Sequence, residues 1–206
     1  MITIREYLLS HNKIEHTIYA TDDTIHQIVK DELDRLGHSA DLNHIDVSQV
    51  TNMNSLFSCY PADLGPKYKD LNPDILEWDV SNVTSMTWMF GNCQKFNCDI
   101  FSWDVSSVKD MDHMFSGCRK FNKDLSKWDV SNVENMEGMF YDCENFNGNI
   151  SNWNTSRVKN MDSMFGRCTK FNKDLSSWNV SNVYYMDDMF NGGCPIKEEY
   201  KPKFKA

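Results

Sequence analysis

The sequence predicts a single α/β solenoid made of 25-residue coils, each pairing a short strand with a short helical or 3-10 segment. Three observations lead there. Tryptophan recurs at Trp78, Trp103, Trp128, Trp153 and Trp178 with a strict spacing of 25 residues, and fixed self-similarity at this length marks a repeat architecture. In register, the copies keep apolar columns headed by Val80, Val83, Met86, the pair Met89-Phe90, Phe96 and Ile100. No copy can bury such a face alone, so neighbours must cover one another. The apolar step also changes within a copy. Trp128 and Val130 alternate with Lys127, Asp129 and Ser131 as a strand requires, whereas Val133, Met136, Met139, Phe140 and Cys143 follow the steps of three and four of a helical face.

The elements follow in order. Residues 1–41 form an N-terminal cap, with an amphipathic helix at about 24–36 that places Ile25, Ile28, Val29, Leu33 and Leu36 on one side. Thr24 and Gln27 suit a capping box at its start and Gly37 a stop. Residues 1–20 hold no apolar run long enough for a membrane span or a signal peptide. A cytoplasmic chain is therefore expected, or a surface or secreted one if a leader has been removed. Residues 42–194 are the repeat region. Its first coil is a degenerate 33-residue copy with Ile45 in place of Trp and an excess at Cys59–Pro66. That Pro- and Gly-containing loop is either a functional face or a tolerated surface loop. Regular coils start at 78, 103, 128, 153 and 178. Ser131 and Glu134 form a capping box before the helical half of their coil, of which only the Ser cap is general. Residues 195–206 are a basic tail in which Pro195, Ile196 and Tyr200 close the last coil and the final residues are loose.

The order Leu-x-x-Trp-x-Val-x-x-Val-x-x-Met-x-x-Met-Phe-x-x-Cys, over residues 42 to 194, resembles the BspA-type leucine-rich repeat. The wording Trp-Asp-Val-Ser-Asn-Val, Met-Phe and Phe-Asn-x-Asp-Leu-Ser is closer still to its mycoplasma-type branch, bacterial surface proteins of unknown function. The resemblance implies a leucine-rich-repeat-like, right-handed stack of coils and a role in adhesion or protein binding. It supplies no catalytic residues.

Composition narrows the chemistry. A net charge of −9 argues against nucleic acid and against anionic lipid, since both need a basic footprint. Four of the seven cysteines, Cys93, Cys118, Cys143 and Cys168, share one column, with Cys59 and Cys194 within one position of it. This fits buried structural thiols; no Cys-x-x-Cys spacing points to zinc, while rungs about 4.8 Å apart leave a disulfide open on distance. One Asp/Asn column runs Asp79, Asp104, Asp129, Asn154 and Asn179, and another Asp99, Asp124, Asn149 and Asp174. These read as acceptors for turn amides, with a calcium row as the alternative. Asn97, Asn122, Asn147 and Asn172 suit an internal ladder that satisfies buried backbone. Of the six histidines only His113 lies in the regular coils. No nucleophile–base pair or phosphate loop stands out, so the expectation is no enzyme, no cofactor and no metal.

Binding is sought in columns that vary while their neighbours stay fixed. Trp88, Phe101, Tyr141, Tyr184 and Tyr185 stand in otherwise polar columns, and Lys127 lies in a variable one. Exposed aromatics are typical anchors of interfaces. The expected function is a non-catalytic, monomeric protein-interaction module. The other reading is a bacterial surface protein for adhesion or carbohydrate binding, favoured if Trp88, Phe101 and Tyr141 cluster on one face.

Overall fold

The computed structural model describes residues 17–204. His11, His16 and most of the segment searched for a leader lie outside the described residues, as do the last two residues of the tail. The regular elements are few. Strand β1 (Ile18–Tyr19) pairs in parallel with β2 (Ile45–Asp46), and helix α1 (Ile25–Leu36) lies between them in sequence. Two 3-10 turns, Pro66–Tyr68 and Glu198–Tyr200, complete the set.

The expected α/β solenoid of leucine-rich-repeat type is therefore corrected. Between Val47 and Cys194 the only regular element is the turn at Pro66–Tyr68; the repeats consist of turns, bends and isolated bridges. From Trp78 to Cys194 no unit has a strand or a helical half, and the Ser131–Glu134 capping box is not formed; β2 belongs to the degenerate first unit. Among the described residues the domain is loop-built, with one helix and a small open sheet.

The backbone shows why a helical spacing yields no helix. In each unit the residue before the second Met has positive φ: Trp88 56°, His113 51°, Gly138 51°, Ser163 53° and Asp188 55°. A second left-handed position follows Phe by two, at Asn92, Gly117, Asp142, Arg167 and Gly192. A left-handed residue every four breaks any α-helix. The apolar step of three is instead the step of successive β-turns, with Met89 N–H donating to Met86 O, Cys93 to Phe90 and Phe96 to Cys93. Positive φ at the third residue of such a turn is the type II conformation. The expected strand fails for a related reason. Trp128 N–H returns to Leu125 O and Val133 N–H to Val130 O, so closed turns leave too short a run between them to pair. Burial still alternates there, Trp128 and Val130 inside and Lys127 and Asp129 outside.

Each unit is nevertheless tied to the next. Met86, Trp88, Phe90 and Asn92 donate N–H bonds of 2.7–2.9 Å to Asp110, Asp112, Met114 and Ser116. The same four positions repeat this from His113's unit through Ser163's. The carbonyls preceding these donors, Ser85, Thr87, Met89 and Gly91, face the other way and accept from Met53, Ser55, Phe57 and Cys59. Four peptide groups per unit thus point in one direction, unlike a parallel strand, where alternate residues serve opposite neighbours.

The expected core columns are inside. Every Met89-type and Phe96-type residue is buried, and Phe57, Phe90, Phe115, Phe140, Phe165 and Phe190 form a ring ladder with centroids 5.4–5.7 Å apart. The indoles of Trp103, Trp128, Trp153 and Trp178 each donate to a carbonyl 28 residues earlier, as Trp128 does to Ile100 at 3.0 Å, and Trp78 donates to Leu42 across the longer first unit. That bond satisfies the one polar atom a buried Trp carries.

Helix α1 closes the N-terminal side, burying Ile25, Val29 and Leu33. Its expected capping box is not formed: Thr24 Oγ1 accepts from the backbone of Thr21, and Gln27 donates to Asp31. Gly37, at φ 93°, does end the helix. The inserted loop reaches inward as well. Tyr68 is buried and its hydroxyl donates to Asp34 Oδ1 at 2.5 Å, tying the insertion to α1. In the tail, Ile196 is buried and Tyr200 packs on the core as expected, but Pro195 is exposed, and Pro202 is buried and Phe204 packs on the core, so the cover extends further along the tail than predicted.

Candidate functional site

Turn chemistry places the polar groups first. Asp79, Asp104, Asp129, Asn154 and Asn179 accept the N–H two residues ahead through Oδ1. Asp99, Asp124, Asn149 and Asp174 do the same. These are Asx turns, in which an amide oxygen serves as well as a carboxylate, and their engagement favours the turn-acceptor reading over a calcium row. The asparagine ladder is present: Asn97, Asn122, Asn147 and Asn172 each accept the N–H of the equivalent residue one unit on. It lies at the surface rather than inside, with Asn122 exposed.

The column thiols are buried and free, each donating to a Phe carbonyl of the preceding unit. Burial pushes the thiols of Cys93, Cys118, Cys143 and Cys168 well up, so they are poor nucleophiles.

The predicted binding residues do not form one patch. Trp88 is half-buried; its ring lies 4.0 Å from His113 at 11° and meets Tyr60 edge-on at 5.3 Å. Tyr141 lies under Arg167 at 5.6 Å. Phe101 packs with Lys127, whose ammonium sits 4.9 Å over the ring, in a groove shared with Ser102, Asp104 and Asp129. Tyr184 and Tyr185 are 73% and 61% exposed, the most open aromatics of the repeat region among the described residues. Tyr184 borders a groove of about 400 Å³ lined by Glu134, Arg157, Lys159 and Asn182. Phe101 thus packs apart from the other two, whereas Trp88 and Tyr141 stand in adjoining columns, Tyr141 N–H donating to O of Gly138, which lies against the His113 ring stacked on Trp88.

One cluster was not visible in the sequence. Asp112, His113 and Glu137 each offer a ligand atom, all within 4.8 Å of one another. His113 Nδ1 contacts Asp112 Oδ1 closely, and His113 N–H donates to Glu137 O at 2.7 Å. The residues are 24 and 25 apart, so only the lateral register between units brings Glu137 alongside.

The comparisons agree with the repeat pattern. Residues 30–141, 64–165 and 123–202 match the family described as Mycoplasma protein of unknown function, DUF285. The chain belongs to this family. The overlapping matches reflect the repetition within the family's own pattern, and its description carries no activity. No curated protein and no solved structure matches the chain. Among the described residues, no helix is long and apolar enough to cross a membrane.

Proposed function

We propose that the chain is a non-catalytic protein-interaction module, with Tyr184 and Tyr185 as its principal contact residues. The observation that carries the reading is their exposure, 73% and 61%, on a unit whose backbone is anchored by bonds from Met161, Ser163, Phe165 and Arg167. A rigid scaffold spares binding the cost of ordering it. Two adjacent tyrosines offer large contact area with few rotatable bonds. Arg157 and Lys159, held by Asn132 and Glu134, border the groove beside Tyr184 and add charge that sets partner choice more than affinity. The likeness to BspA-type bacterial surface repeats supports a binding role at the level of sequence. The carbohydrate reading needs Trp88, Phe101 and Tyr141 on one face and is disfavoured, since Phe101 packs apart with Lys127.

A crosslinking pull-down from the source cell's lysate and surroundings tests the proposal. The intact chain and the Tyr184→Ala/Tyr185→Ala variant are compared at matched folding. Capture of the same protein by the intact chain alone supports the module and its face. Equal capture by both, or none, overturns it.

A further inference from the structure

We propose that Asp112, His113 and Glu137 bind a divalent transition-metal ion of the zinc class. This goes beyond the interaction reading and does not rest on it. The donor set is one imidazole nitrogen and two carboxylates, all within 4.8 Å of one another. A tetrahedral zinc ion with bonds of about 2.0–2.2 Å spaces its ligands about 3.4 Å apart. The Asp112–His113 pair lies closer than this spacing and would part to admit an ion, while the set as a whole lies within reach of it.

The imidazole is pre-oriented. One face lies on the Trp88 ring at 4.0 Å. The other lies against Gly138, where an added Cβ would come within 2.4 Å of Nε2. Nδ1 is the nitrogen turned toward Asp112, and an ion entering there replaces the hydrogen between them. Glu137 is brought alongside by the His113-to-Glu137 backbone bond, and its Oε2 accepts from Asn160 Nδ2 at 2.8 Å. Such an outer partner orients a carboxylate ligand.

The position is particular to this unit. The corresponding pairs elsewhere are Thr87-Trp88, Glu137-Gly138, Asp162-Ser163 and Asp187-Asp188, and none contains an imidazole. Calcium prefers six to eight oxygens, whereas a nitrogen with few carboxylates suits zinc, nickel or copper.

The full chain is titrated with zinc chloride by calorimetry, and with nickel(II) chloride while tryptophan fluorescence is followed. One zinc per chain is expected. Its affinity should drop at least about tenfold in His113→Gln and in Glu137→Gln, and stay unchanged in Glu144→Gln. Nickel should quench part of the emission, a part missing in Trp88→Phe. Metal-free melting curves establish that each variant is folded, and Asp112→Asn replaces any that is not. No zinc uptake, or uptake indifferent to both substitutions, overturns the site. Calcium bound as tightly as zinc and unaffected by His113→Gln also overturns it, and assigns binding to the carboxylates alone.

Discussion

Trp128→Ala tests the interior most directly. The side chain is 3% exposed and packs 6.2 Å from the Phe115 ring. Truncating a buried Trp to Ala costs about 3–5 kcal/mol through lost transfer energy and residual cavity. The indole bond to Ile100 O, at 3.0 Å, is lost as well. That carbonyl keeps a bond from Trp103 N–H at 3.2 Å, so this part lies at the low end, about 1 kcal/mol. Trp128→Phe, which keeps most apolar contact and loses the donor, should cost about 2 kcal/mol. Lys127→Ala, next in sequence but outward, should cost less than about 1 kcal/mol, chiefly its contact with Phe101. Urea unfolding followed by circular dichroism separates the three. Equal losses for Trp128→Ala and Lys127→Ala would refute the assignment of inside and outside.

Gly138→Ala should destabilise by about 1–3 kcal/mol, since its Cβ meets the His113 ring and its φ of 51° is left-handed; an unchanged thermal midpoint would show that the ring is not pinned there. Hydrogen bonds from Tyr68, Lys67 and Lys30 hold the Asp34 carboxyl far below its ordinary value of 3.8. Its contribution to stability is thus complete above that value and is lost as pH falls through the lower folded value. Asp34→Asn should flatten this part of the acid-unfolding profile, and an identical profile would discount the tie between α1 and the insertion. Native thiol titration at pH 8 should detect no more than the half-buried Cys98 and Cys194, against all seven cysteines after denaturation; rapid reaction of more than two would contradict the buried column.

What was legible in the sequence is what side-chain burial alone decides. The Trp, Val, Met, Phe and Cys columns lie inside as read, except that Val183, Met186, Phe190 and Cys194 of the last unit are half-buried, and α1 matches its apolar face to within a residue. The Asx acceptors were legible because Asp and Asn exchange freely within their columns. The path of the backbone was not. A turn closing every third residue and a helix turning every 3.6 leave nearly the same apolar spacing. The left-handed positions that distinguish them carry Trp88, His113, Ser163 and Asp188 as well as Gly138, so the usual glycine signal is diluted. The second such column, Asn92, Gly117, Asp142, Arg167 and Gly192, was the readable clue, since Asn, Asp and Gly enter that region most easily. The three aromatic candidates failed to form one patch because the Phe101 column lies far in sequence from those of Trp88 and Tyr141, which are only three residues apart. Asp112, His113 and Glu137 met for the complementary reason, as neighbours across two units.

The one-way orientation of the peptide groups between units makes the two ends of the array electrically unlike. Each peptide carries a dipole of about 3.5 D, and those linking the units add rather than cancel. At the negative end, the carbonyls of Asn54 and Ser58 meet His26 Nε2 and Leu64 N–H. The positive end is the arc from Met186 to Gly192. If two copies approached through that arc about a two-fold axis, each would present hydrogen to hydrogen, with no acceptor on either side. Head-to-head pairing is thereby discouraged by the direction of the backbone itself, with no charged side chain needed to forbid it.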